Sequence, residues 1–400
     1  MAEISERTKN LGTENAFVVL GEVNRRKARG EEIISFCIGQ PDFDTPEVIK
    51  EAAIKAINNG KTGYADSCGI KELREAVAEH EGKIRGIEIN PDSVVVDSGA
   101  KPFITHAIMT TTDYGKGHEI MYPNPGYPIY RAQTIVNGAV PKPYNILESK
   151  NFNFDFDEFQ EKVSDKTKLI IINSPQNPTG GVLTKDSLKG IAEIAIEKDI
   201  WVYSDEIYSN ILFEGKFESI ASIPEMQERT IISTGVSKTY AMTGWRIGYA
   251  INEKLAKSLT TWVININACA AHPSQYAAIT ALRESEKEAE KMTESFKRRR
   301  DLIVKLLNEI PGIKCLKPTG TFYAYPNVTK ACELTGIKNS EEFRKKLLDE
   351  AKVAVLSDIH FGTKITSEGE HLRFSFATSD ENIKAGIEKI KEFMEKNSKN

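Results

Sequence analysis

Between residues 94 and 255 the chain repeats one pattern: a short run of β-branched and aromatic residues, a polar turn, then a stretch with apolar side chains three and four apart. The apolar runs are SVVVDSG (93–99), HEIMYP (118–123), KLIIINSP (168–175), IWVYSDE (200–206), TIISTG (230–235) and RIGYAI (246–251), each ending in turn-forming residues. KDSLKGIAEIAIEKD (185–199) is typical of the helical stretches between them. Such alternation requires right-handed crossovers, and so predicts a mostly parallel sheet with helices on both faces.

Beyond this region the pattern changes. Residues 284–310 are charged, with apolar positions at helical spacing towards the end, and PGIKCLKPTGTFYAYPNV (311–328) breaks the helix. A helix over SEEFRKKLLDEA (340–351), strand-like KVAVLS (352–357) and HLRFSFA (371–377), and a final amphipathic helix complete an α+β unit. The pattern predicts a large domain over 45–290 and a smaller α+β domain built from 1–44 and 291–400.

Composition adds exclusions. A chain of 400 residues is long for a single core, which agrees with two domains. The net charge of −4 is too mild to draw the protein to nucleic acid or anionic lipid. Five scattered cysteines without a C-x-x-C pair read as reduced thiols of a cytoplasmic protein. The polar N-terminus and the lack of a ~20-residue apolar run predict neither a secretion signal nor a membrane helix. The six histidines lack metal-ligand spacing, so no metal is expected. Gly60-Lys61-Thr62 is no P-loop, because Lys55 stands where the first glycine belongs. The basic cluster 297–300 lies among glutamates and reads as a solvated helix face.

In open parallel sheets, ligands sit beyond the carboxyl ends of the strands. DSGAK, NSPQNPTG, SDEIY and STGVSK all fall at predicted strand ends. Each has an ordinary explanation: Asp205 as a helix cap, Asn177 as a turn former, Ser98-Gly99-Ala100 as a strand-to-helix turn, Lys238 as a surface lysine. Together they suit a cofactor with a phosphate, a ring nitrogen needing an anion and an aldehyde needing an amine. Glycine at a helix start frees backbone N–H groups for phosphate, and Arg246 adds charge. Pyridoxal 5′-phosphate meets all these demands.

IGQPDFDTP (38–46), KTGYADSCGIKELREAVAEH (61–80), NSPQNPTGGVL (173–183), VYSDEIYSNILFEG (202–215), SKTYAMTGWRIGYA (237–250) and HLRFSFATSDENI (371–383) occur in this order along the chain. In these stretches the sequence resembles the class I aminotransferases of fold type I, of the prokaryotic aspartate-aminotransferase kind. The resemblance implies an α/β fold with a mostly parallel seven-stranded sheet in the large domain. It implies Lys238 as the Schiff-base lysine, Asp205 as partner of the pyridine nitrogen, and Tyr208 and Asn177 as donors to the ring's phenolic oxygen. Gly99, Ala100, Ser237 and Arg246 would hold the phosphate, with Lys101 beside them, and Tyr127 would stack on the ring. Tyr64 would reach the phosphate of a neighbouring subunit, implying a homodimer with shared sites. Gly39, Asn177 and Arg373 would bind the substrate, Arg373 by a two-pronged grip on the α-carboxylate. The implied activity is transfer of an amino group from an L-amino acid, aspartate or a broad or aromatic donor, to a 2-oxo acid such as 2-oxoglutarate, by a ping-pong route.

Departures from the family pattern bear on specificity. Ser357-Asp358 replaces a Pro-Gly pair, and Gly235 stands where relatives carry a hydroxyl residue. Residues 265–278 contain no arginine for an acidic substrate, leaving Lys101 as a substitute or as a solvated helix-start residue. A C–S β-lyase acting on cysteine-like substrates is the alternative enzyme on the same fold. A cofactor-sensing regulator is disfavoured, since the segment ahead of Ile38 is too short for a winged DNA-binding module.

Overall fold

The computed structural model describes residues 2–9 and 11–398. Its main sheet has eight strands: β1 (Val94–Asp97), β2 (Glu119–Asn124), β3 (Val140–Leu147), β4 (Asn153–Phe154), β5 (Thr167–Asn173), β6 (Trp201–Asp205), β7 (Thr230–Gly235) and β8 (Gly248–Ile251). They lie in the order β1-β8-β7-β6-β5-β2-β3-β4. The pairs from β7 through β3 are parallel, β8 is antiparallel to both neighbours, and β4 is a two-residue antiparallel edge. Without that edge piece the sheet has the seven strands implied by the resemblance.

β3 is the long strand that the apolar pattern misses, because Pro141 and Pro143 interrupt it. The Val140 N–H points to His118 O on the β2 side, so alternation turns positions 141 and 143 towards the open edge, where no ladder donor is needed. The RIGYAI run also shortens: the strand starts at Gly248, and Arg246 sits in a left-handed conformation at φ 57°. The central strands are buried on both faces, as crossover helices require. One of those helices, Lys185–Glu197, has Thr184 accepting from Ser187 N as its cap and buries Leu188, Ile191 and Ala195. Full burial of a leucine or isoleucine such as Leu188 or Ile191 contributes roughly 1.5–3 kcal/mol.

The C-terminal part has its own small sheet, in the order Tyr323–Ala324, Leu372–Ser375, Leu356–Ser357. KVAVLS splits, its first half (Val353–Ala354) pairing in parallel with Ile34–Ser35. SEEFRKKLLDEA is helical throughout, as an α-helix over Ser340–Lys346 that widens into a π-helix over Leu347–Ala351. Helices Glu286–Asn308 and Asp380–Asn397 cover this part, burying Phe296, Ile303, Ile387 and Phe393 against Phe322 and Phe374. No helix among the described residues is long and apolar enough to cross a membrane.

Candidate active site

Strand register brings the predicted turns to one edge of the sheet. Asp97 and Gly235 lie opposite Gly248, Ser233 lies opposite Asp205, and Asp205 lies opposite Asn173. A cavity of about 480 Å³ opens beyond these ends. Gly39, Ala100, Lys101, Tyr127, Asn177, Asp205, Tyr208, Ser237, Lys238, Arg246 and Arg373 all line it. Tyr64 does not; its side chain lies in the open at 91% exposure.

The turn after β1 is held from beneath. Asp97 Oδ1 accepts from Ser98 N at 2.6 Å and Asn267 Nδ2 at 2.7 Å, and Asp97 Oδ2 lies 2.9 Å from His106 Nε2. This fixes Gly99 (φ 94°) and Ala100 at the start of helix Lys101–Thr111, whose first turn has no side-chain cap. Arg246 crosses the turn, donating to Thr243 O at 2.9 Å and Ser98 O at 3.0 Å; a Cβ on Gly99 would strike its guanidinium. A Cβ at Gly235 would lie 2.7 Å from Gly248 Cα and 2.8 Å from Ile247 O. The backbone therefore excludes any side chain at 235, and the buried hydroxyl available here is that of Ser237.

Asp205 caps no helix, since a turn follows it. It is buried, and burial pushes its carboxyl up to about 6. Tyr130, which the sequence reading overlooks, donates to Asp205 Oδ2 at 2.7 Å. Asn173 donates to the Asp205 backbone carbonyl at 2.9 Å and accepts from Asn177 N at 2.9 Å, tying two strand ends together. Lys238 Nζ donates to Gly39 O at 2.6 Å. Burial draws its amine down to about 8; Glu14 opposes that shift, and Arg246, Arg373 and Lys101 add to it.

Arg373 Nη1 donates to Asn177 Oδ1 at 2.9 Å and Nη2 donates to Cys37 O. Its guanidinium lies between the rings of Tyr323 (4.4 Å) and Phe361 (4.7 Å), and its buried Nε has no partner. The departing segment 357–362 thus touches Arg373 through Phe361, without itself lining the cavity. Tyr208 and Tyr323 share a hydroxyl contact at 2.9 Å, and a Cβ on Gly39 would collide with Tyr323. At the outer rim, Glu14 Oε2 accepts from Lys101 Nζ and from Tyr127 OH, each at 2.8 Å. Tyr323 and Glu14 escape sequence reasoning, because one lies in a loop-like break and the other in a polar N-terminal stretch without a motif.

Residues 31–390 match the profile of the family described as aminotransferase class I and II. The chain belongs to this family. It is 36% identical to the aspartate aminotransferase of Bacillus subtilis, over 99% of this chain and 100% of that protein. To aromatic-amino-acid aminotransferase 2 of Thermococcus litoralis it is 39% identical, over 91% and 92%. The crystal structure of an aspartate aminotransferase from Rhizobium meliloti superposes with a TM-score of 0.92 at 30% identity, over 99% of both chains.

The cofactor of this aminotransferase family is pyridoxal 5′-phosphate, and the cavity suits it. A buried carboxyl shares the cavity with an amine that burial draws down to about 8. A glycine turn with an uncapped helix start and an arginine lies to one side, as a phosphate requires. The unpartnered Nε of Arg373 leaves hydrogen-bonding capacity for a carboxylate. The five cysteines are unpaired, and no metal-binding group of side chains occurs among the described residues.

Proposed function

We propose that this aminotransferase moves the amino group of an L-amino acid, aspartate or a broad or aromatic donor, to a 2-oxo acid such as 2-oxoglutarate, using one cavity for both half-reactions. The observation that carries the reading is the meeting, in one cavity, of Lys238 with a lowered amine, buried Asp205 and the Arg373 clamp. Bound pyridoxal phosphate supplies an aldehyde for amines and a ring that takes up the electron pair left at Cα. Asp205 would keep a proton on the ring nitrogen. Gly99, Ala100, Ser237 and Arg246 would hold the phosphate, with the helix start at Lys101 beside them, and Tyr127 would stack on the ring. Tyr208 and Asn177 would donate to the phenolic oxygen. Arg373 and Asn177 orient the substrate carboxylate, and Gly39 leaves room for it. Lys238 Nζ takes the proton from substrate Cα, a task for which an amine near 8 is suited.

The range of substrates named for the relatives, aspartate for one and aromatic amino acids for another, supports a broad donor range. The decisive experiment mixes the loaded enzyme with each amino acid in turn and follows the loss of cofactor colour, then regenerates it with 2-oxo acids. Two-substrate kinetics with parallel double-reciprocal lines are expected; converging lines contradict the single-cavity scheme.

A homodimer is part of this reading. Exposed Ile54, Ile57, Ile264, Ile266 and Tyr64 support a second copy covering them, with Tyr64 reaching the partner's phosphate. Light scattering at twice the 44.6 kDa chain mass checks it. The unpaired cysteines support a reducing, cytoplasmic setting, which fractionation tests. The division into 45–290 and 1–44 with 291–400 is supported by the confinement of the main sheet to 94–251; its second junction falls within helix Glu286–Asn308, so separate expression of 45–290, with folding followed by circular dichroism, tests it.

A further inference from the structure

Glu14 stands at the N-cap of helix Asn15–Lys27, with β-region backbone (φ −83°, ψ 98°), yet its side chain caps nothing in that helix. Instead it turns into the cavity and takes hydrogen bonds from Lys101 and Tyr127 through one oxygen. Four cations line the cavity: Lys101, Lys238, Arg246 and Arg373. If the cofactor takes Lys238 and Arg246, and the α-carboxylate takes Arg373, Lys101 is the cation left for the far end of a substrate. Glu14 already neutralises it. Apolar surface surrounds the pair: Lys101 Nζ lies 5.6 Å from the rings of both Phe17 and Tyr127, and Ile38 and Ile104 line the same cavity.

We infer that Glu14 is a specificity-determining residue that occupies the place of a substrate's second carboxylate, so that neutral aromatic or aliphatic donors are favoured and dicarboxylates enter only by displacing it. This rests on the aminotransferase reading of the cavity. A dicarboxylate must release the Glu14 side chain from Lys101 and then bind beside the freed negative charge. A neutral side chain does neither, and packs against the apolar wall with the ion pair intact. Removing the charge while keeping the acceptor for Tyr127, as in Glu14→Gln, gives Lys101 to the substrate.

The test titrates succinate and 3-phenylpropionate, non-reacting stand-ins for acidic and neutral substrates, into the loaded wild type and E14Q by calorimetry. It also compares half-reaction rates with aspartate and phenylalanine. A hydrogen bond between charged groups sets the scale: E14Q should bind succinate about tenfold or more tighter and react faster with aspartate, with 3-phenylpropionate affinity within about twofold. E14A should move the same way, and adding Lys101→Met to E14Q should cancel the gain. Unchanged succinate binding in E14Q, or a gain that survives in the double variant, overturns the assignment of Glu14 and leaves the aminotransferase reading intact. A wild type that reacts with no amino acid overturns both.

Discussion

Replacing Asp205 with asparagine should make the cofactor-free protein more stable while crippling transamination. Burial raises the Asp205 carboxyl from 3.8 to about 6, a gap equivalent to about 3 kcal/mol. The folded state therefore binds more protons than the unfolded chain between these values, so the wild type loses stability as pH rises through that window. Asparagine keeps an oxygen for the Tyr130 hydroxyl and has no charge to desolvate. Urea denaturation of both cofactor-free proteins should give nearly equal stabilities near pH 4 and a gap in favour of D205N that grows to about 3 kcal/mol near pH 7.5. The loaded D205N enzyme should lose activity, because nothing then holds the ring proton. A gap that does not change with pH, or a mutant less stable at pH 7.5, refutes the claim that Asp205 is held in an environment hostile to its charge.

Arg373→Lys keeps the charge but loses the fork that donates to Asn177 and Cys37; kcat/KM for amino acids should fall about ten- to a hundredfold in steady-state assays. Gly235→Ser should cost about 1–3 kcal/mol in urea denaturation, because its Cβ meets backbone atoms that cannot yield; an unchanged midpoint would contradict the packing described. Tyr64→Ala should weaken cofactor binding, measured by dialysis against the free cofactor, with little change in the fold by circular dichroism, since the side chain is 91% exposed in the single chain.

The sequence makes the sheet and its ligand-bearing edge legible because strand ends rich in Gly, Pro, Asn and Asp announce themselves locally. β3 stays hidden because its prolines are tolerated only through the edge geometry that tertiary pairing creates. The candidate site is legible where a residue stands inside a recognisable motif, as Lys238, Asp205 and Arg373 do. Tyr130, Tyr323 and Glu14 are invisible for the opposite reason. A tyrosine or glutamate outside a motif has many uses, and only the fold brings Tyr130 to Asp205, 75 positions away, or Glu14 to Lys101, 87 away. Gly235 shows a third case: its departure from the family pattern reads as a lost hydroxyl until the close approach of Gly248 explains it.

Every role assigned to the cavity depends on the Lys238 amine carrying the cofactor. Borohydride reduction of the loaded protein, followed by digestion and mass spectrometry, tests it directly. A single pyridoxyl-bearing peptide spanning Lys238 is the predicted result, with none formed in Lys238→Ala. A label on another lysine, or a protein that stays colourless and unlabelled after incubation with pyridoxal phosphate, contradicts it.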